Sequence, residues 1–347
     1  MSQSAAAPLL SVRNLRVSFA LDDGVVRAVD GTSFDVMPGQ VLGIVGESGC
    51  GKSVTMKAIL QLIDRPGRIT HGEILFHREG SEVIDLARLP PRGPALREIR
   101  GGEIALIPQE PMASFSPVHT VGDQIVEAIL LHAHRWHADG RHISRREARE
   151  ITIGLFRDVG ISMPEQRIDA YSWQLSGGLR QRAMIAMALS CRPRLLIADE
   201  PTTAIDVTTQ AQVLALLHDL KDRYNTAIIF ITHDLGVIAQ MASYVVVMYL
   251  GRVMEQGPVD DIFHAPRHPY TQALLRSMPG LHGRTRVPLP VITGALPHPF
   301  NRPLGCPFHP RCPDVMAQCS AATPSLEPVG IEQLASCFLH SDKVDAS

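Results

Sequence analysis

Residues 46–53 read Gly-Glu-Ser-Gly-Cys-Gly-Lys-Ser, with Gly46, Gly51, Lys52 and Ser53 at the defining positions of the phosphate-binding loop G-x-x-x-x-G-K-[ST]. The apolar run Val41-Leu42-Gly43-Ile44-Val45 ahead of it reads as a buried strand, and Val54 through Leu62 as a helix, so the motif has the strand–loop–helix setting it requires. Its chemistry follows from that setting. Glycines let backbone N–H groups face a polyphosphate, the helix N-terminus adds positive potential, Lys52 reaches the terminal phosphates and Ser53 can ligate Mg²⁺. Glu47, Ser48, Gly49, Cys50 and Val54 fill out the expected nucleotide contacts. A chance glycine turn is the competing reading, and the flanking strand and helix argue against it. A nucleoside triphosphate is the expected ligand.

Length and charge narrow the setting. A chain of 347 residues accommodates two domains, or one large domain with an appendage. Its 45% apolar content supplies a full core. A net charge of −2 gives no electrostatic case for nucleic-acid binding. The N-terminal Met-Ser-Gln-Ser-Ala-Ala-Ala-Pro lacks a basic region and a long apolar core, so no secretory signal is expected. Apolar runs such as Ala227–Ile231 and Tyr244–Leu250 are far shorter than the roughly 18 residues of a membrane helix. Any membrane role has to come through a partner.

Residues 9–36 alternate as strands do, broken at Asp22-Asp23-Gly24, and Pro38-Gly39 leads into the phosphate-loop strand. Further strands are expected at Gly72–Phe76 and Ile104–Ile107. From about Val121 to Ser190 the pattern turns helical, with helices at Gly122–His134 and Arg146–Val159. Strands return at Leu195–Ala198, Ala227–Ile231 and Tyr244–Leu250, with an amphipathic helix carrying Val213, Leu214, Leu216, Leu217 and Leu220 between the first two. Strands alternating with helices predict an α/β core into which the helical block is inserted. Beyond Gly280, proline and cysteine become frequent and mark a separate segment.

A second nucleotide-site element is expected at Leu195-Leu196-Ile197-Ala198-Asp199-Glu200, an apolar strand ending in two carboxylates. Asp199 is placed to hold Mg²⁺ through water and Glu200 to polarise the water that attacks the γ-phosphate, since positioning and electrostatics dominate phosphoryl transfer. Leu-Ser-Gly-Gly-Leu-Arg-Gln-Arg at 175–182 then resembles the signature motif of ABC ATPases. Other elements of that family follow in order over residues 9–280. Phe19 matches the aromatic that stacks on adenine, Gln109 the Q-loop residue that touches Mg²⁺, Ala204-Ile205-Asp206 the D-loop with Ile where Leu is usual, and His233 the switch histidine.

The resemblance implies a P-loop NTPase of the ABC type, with a mixed sheet core and a helical subdomain at about 110–190. It also implies that Ser176, Gly177 and Gly178, which open a helix, close over ATP held by a second ABC ATPase subunit. Glu200, His233 and Gln109 become the expected catalytic residues. Cys50, near Lys52 and a helix N-terminus, is expected to be an alkylatable thiol protected by ATP, the alternative being a tolerated small residue. His132, His134, His137 and His142 are expected to lie in a solvated loop, and Arg180 and Arg182 on a helix face rather than in a nucleic-acid patch.

His268-Pro269-Tyr270-Thr271-Gln272-Ala273-Leu274-Leu275, followed by Pro279, and the Q-loop surroundings Gln109–Ser114 and Pro117-Val118 resemble the ATPases of oligopeptide and dipeptide importers. Nickel, glutathione and oligosaccharide importers share that subfamily; a soluble, non-transport ABC ATPase is the competing class. The resemblance implies two transmembrane permease subunits as partners, a solute-binding protein acting indirectly, no nucleic acid, and a peripheral place on the cytoplasmic face of the inner membrane.

In the segment 281–347, Cys306, Cys312, Cys319 and Cys337 are spaced C-x5-C-x6-C-x17-C. A reduced cytosolic setting favours metal ligation over disulfides, and the spacing lacks the tight pairs of structural zinc. Four thiolates in a Pro-rich loop can hold a [4Fe–4S] cluster. The pattern resembles the cysteine region of peptide-importer ATPases, some of which carry one. Zinc and unliganded thiols are the alternatives.

Overall fold

The computed structural model describes residues 7–78, 82–109, 114–137, 142–202, 206–278 and 291–341. Its strands are β1 (Leu10–Leu21), β2 (Gly24–Val36), β3 (Val41–Val45), β4 (Gly67–His77), β5 (Val83–Asp85), β6 (Ile104–Ile107), β7 (Leu195–Asp199), β8 (Ala227–Ile231), β9 (Tyr244–Tyr249), β10 (Arg252–Pro258), β11 (Glu327–Pro328) and β12 (Leu334–Ala335). The chain divides into two compact units, residues 1–37, 41–88 and 232–347 in the first, 38–40 and 89–231 in the second.

In the first unit, β2-β1-β4-β5 form an antiparallel sheet. The long β1–β2 hairpin turns at Asp22-Asp23, as the sequence pattern predicts. A second group runs β11-β12-β10-β9-β3, in which only β3 and β9 are parallel. All five residues of β3 are buried, which fits its unbroken apolar run, because parallel strands are covered on both faces. The helix Lys52–Ile59 follows the phosphate loop directly.

In the second unit, β6, β7 and β8 are parallel neighbours in the order β8-β7-β6. Around them lie the helices Val121–Leu131, Arg145–Asp158, Gly177–Leu189 and Val207–Tyr224. Thr120 and Ser144 cap the first two, accepting from Asp123 N–H and Glu147 N–H at 3.1 Å each. These helices agree with the expected ones to within three residues at either end. Glu110–Ala113 of the Q-loop surroundings, Ala204 and Ile205 of the D-loop, and Pro279 lie outside the described residues.

The predicted helix after His268 forms as Pro269–Arg276, with His268 as its N-cap. His268 Nδ1 accepts from the Tyr270 N–H at 2.9 Å, so this ring nitrogen must stay unprotonated. Burial, helped by nearby His340, pushes the His268 pKa from 6.5 down to about 3. Beside it, Glu255 of β10 is buried and accepts from Arg267 N–H (2.7 Å), His268 N–H (2.9 Å) and Gln333 Nε2 (2.8 Å). An unfolded chain takes up the His268 proton near pH 6.5 and the folded one only near 3, so stability falls as pH drops through that window. Urea unfolding at pH 7 and pH 4.5 should show that loss, and His268→Asn, which keeps a capping acceptor without titrating, should show less of it.

Candidate nucleotide site

Two glycines of the phosphate loop are irreplaceable on steric grounds. Gly46 has φ of 150°, and a Cβ there would lie 2.1 Å from the Met248 carbonyl oxygen; Gly51 has φ of 102°, with Ala28 oxygen 2.4 Å from a Cβ. The loop therefore lies tight against the start of β2 and the end of β9. Lys52 is buried, and its Nζ donates to the carbonyls of Gly46 at 2.8 Å and Glu47 at 3.1 Å. An ammonium folded back onto its own loop stands where terminal phosphates would take over those bonds. Ser48 and Gly49 at the loop tip are exposed, while Ser53 and Val54 in the first helical turn are half-buried. The residues present fit a polyphosphate.

Phe19, half-buried on β1, faces Gly67 across the β1–β4 pairing. A Cβ on Gly67 would come within 2.4 Å of the Phe19 ring, so the ring needs glycine across from it. His233 is exposed two residues beyond β8, and the neighbouring Asp234 caps the helix Leu235–Met241 by accepting from Gly236 N–H at 2.8 Å.

The second unit carries its own constellation. Asp199 is the buried last residue of β7, and Glu200 follows it in the left-handed region with φ of 48°. A non-glycine residue there costs about 1–2 kcal/mol, a strain that recurs at functional sites. The Glu200 N–H donates to Ile231 oxygen at 2.9 Å, and its Oε2 accepts from Gln109 Nε2 at 3.0 Å. Gln109 and Glu200 are thus brought together across 91 residues of sequence. Ser176 caps the helix Gly177–Leu189, accepting from Leu179 N–H at 3.4 Å, and leaves Ser176 and Gly177 exposed at a helix N-terminus. Asp206 caps Val207–Tyr224 through Thr209, which holds its carboxyl below the usual range. Arg182 is spent on structure, donating to Val159 oxygen and Gln212.

The family model described as ABC transporter matches residues 29–203, and a second, described as oligopeptide/dipeptide transporter, C-terminal region, matches 254–319. The chain belongs to the ABC transporter family. It is 46% identical over 345 residues to a probable peptide ABC transporter ATP-binding protein of Sinorhizobium fredii, covering 99% of this chain and 98% of that one. It is also 46% identical to the dipeptide transport ATP-binding protein DppD of Escherichia coli, covering 96% and 97%. Among solved structures, CbiO1 of Clostridium perfringens, part of an ABC transporter complex, aligns with TM-score 0.58 at 26% identity over 74% of this chain and 91% of that one. The cassette MJ0796 aligns with TM-score 0.62 at 23% identity over 72% and 98%, a likeness of fold.

Three sequence expectations change. Cys50 is 1% exposed, and burial pushes its thiol pKa up despite Lys52 beside it; desolvation of the thiolate outweighs the ammonium. His132 is buried, against the expected solvated loop, because it ends the helix Val121–Leu131 against Gly102. The [4Fe–4S] expectation finds no support. Among the described residues, no group of three or more His, Cys, Asp or Glu is arranged to hold a metal ion. Cys306, Cys312, Cys319 and Cys337 share a neighbourhood, with Cys306 N–H donating to Cys319 oxygen at 2.8 Å. Burial pushes the Cys306 and Cys337 thiols to about 11, so both are protonated at neutral pH. Maleimide should therefore label Cys50 far more slowly in the folded chain than in urea, equally with and without ATP. Labelling at the rate of a free thiol would contradict its burial.

Proposed function

We propose that this chain is the ATP-binding and ATP-hydrolysing subunit of an importer for dipeptides or oligopeptides. The observation that carries hydrolysis is the Gln109–Glu200 pair at the end of β7, joined in one chain to a phosphate loop with Lys52 at its base. The peptide cargo is supported by the printed names of the relatives and by the second family model at 254–319.

In this reading Phe19 stacks on adenine, and Gly46, Glu47, Ser48, Gly49, Cys50, Gly51, Lys52, Ser53 and Val54 wrap the phosphates. Lys52 Nζ exchanges the Gly46 and Glu47 carbonyls for phosphate oxygens. Ser53, Gln109 and Asp199 would hold Mg²⁺, which supplies charge neutralisation of the phosphate oxygens when bound. Glu200 accepts a proton from the attacking water and His233 contacts the γ-phosphate. Gln109 releases Glu200 when nucleotide arrives, so the catalytic carboxylate is held idle until then.

The ATPase domain spans 9–280 with its helical subdomain at about 110–190, and 281–347 form the importer-type extension. Ser176, Gly177 and Gly178 face the nucleotide of a second ABC ATPase subunit. No described helix is long and apolar enough to cross a membrane, which fits an ATPase held at the cytoplasmic face of the inner membrane by two permease subunits. A solute-binding protein delivers the cargo to those subunits. Nucleic acid has no part in it.

Glu200→Gln keeps the size and the hydrogen bonding of the site and removes its base. It should bind ATP as the parent does and lose nearly all turnover, on the order of a hundredfold or more. Steady phosphate release by that variant would remove Glu200 from catalysis.

A further inference from the structure

The C-terminal segment contains an arginine that no nucleotide motif accounts for. Arg311 stands in the run Cys306-Pro307-Phe308-His309-Pro310-Arg311-Cys312, and its side chain is 4% exposed. Its Nη1 donates to Oε2 of Glu47 at 2.7 Å and its Nη2 to Oε1 at 3.0 Å, a two-pronged pair spanning 264 residues. The same guanidinium donates to the Tyr249 hydroxyl at 3.3 Å and to the carbonyls of Thr293 at 3.1 Å and Ile292 at 3.4 Å. Glu47 is held from its backbone as well, its N–H donating to the Tyr270 hydroxyl at 2.9 Å. Phe308 packs on both tyrosines, with ring centroids 5.4 Å from Tyr249 and 5.2 Å from Tyr270.

Glu47 is the first residue of the loop after Gly46, and its carbonyl is one of the two on which Lys52 rests. A carboxylate at that position repels a polyphosphate unless a cation cancels it, and the repulsion grows where water is scarce. The two-pronged pair cancels the charge and also fixes where the side chain points.

We infer that Arg311 is a positioning residue for the phosphate loop, neutralising and pinning Glu47 so that the loop accepts the phosphates of a nucleotide. This makes the C-terminal extension part of the nucleotide site of its own chain. The inference rests on the ATP-binding reading above.

The test is binding of a fluorescent ATP analogue to the full chain. Arg311→Met should weaken binding roughly tenfold, because an unpaired carboxylate is left beside the phosphates. The double variant Arg311→Met/Glu47→Gln should bind more tightly than Arg311→Met and match Glu47→Gln alone, since no charge is left to repel. A double variant as weak as Arg311→Met would mean that the arginine only packs the extension, and would overturn the inference. So would a folded Arg311→Met that binds like the parent. Should Arg311→Met fail to fold by circular dichroism, Arg311→Lys, which keeps the charge but loses the two-pronged bond, should weaken binding about threefold or more, and a folded Lys variant that binds like the parent would overturn the inference. A parent chain that binds no analogue at all sinks the ATP reading itself, a different outcome from any of these.

Discussion

A loop that presents backbone N–H groups to phosphate cannot satisfy those groups by itself, so its shape has to be enforced from outside. Here the enforcement comes from three directions within the first unit. The β9 backbone closes on Gly46 and the β2 backbone on Gly51, at distances that leave no room for a side chain. Lys52 ties the loop to itself through two carbonyls. Tyr270 and Arg311 then take Glu47 by its backbone and its carboxylate. The Arg311 contact is a charge-assisted pair on a nearly buried guanidinium, worth more than the typical hydrogen bond of about 1 kcal/mol. Breaking it would leave a nearly buried guanidinium without its counter-charge.

The second unit solves a different problem, that of fixing a carboxylate at the end of a buried strand. β7 is apolar throughout until Asp199, and the chain then turns through a left-handed residue that is not glycine. The bond from Glu200 N–H to Ile231 of the adjacent strand stabilises that turn, and Gln109 from beyond β6 occupies the side chain. Strain of about 1–2 kcal/mol is sustained there by a fully buried pair of parallel strands, the part of the unit least able to relax.

Motif residues were legible in the sequence because their geometry is local. Gly46–Ser53, Ser176–Gly178 and Asp199–Glu200 each sit where a strand or a helix begins or ends, and apolar runs of four or five residues located β3, β6, β7 and β8. Strand β10 escaped that reading. Its sequence, Arg-Val-Met-Glu-Gln-Gly-Pro, looks like a polar connection, yet five of its seven residues are buried because Glu255 finds its partners at Arg267, His268 and Gln333. The two-residue strands β11 and β12 are too short to leave a periodic signal. Cys50 was misjudged for a related reason: Lys52 and the helix start are visible in the sequence, whereas the burial that outweighs them depends on the fold around the loop.

Arg311 was invisible for the strongest form of that reason, since its partner lies 264 residues away and the cysteines around it drew a metal reading instead. The contacts that tie the segment down are the backbone bond from Cys306 to Cys319, the Phe308 ring on two tyrosines, and the arginine on Glu47. The last two of these contacts lead to the phosphate loop or to the strand and helix beside it. A segment that only closed off the domain would have no need to deliver a buried cation to that place. On the inference above, the extension is the outer wall of the nucleotide site, with Cys306 and Cys319 buried in its packing.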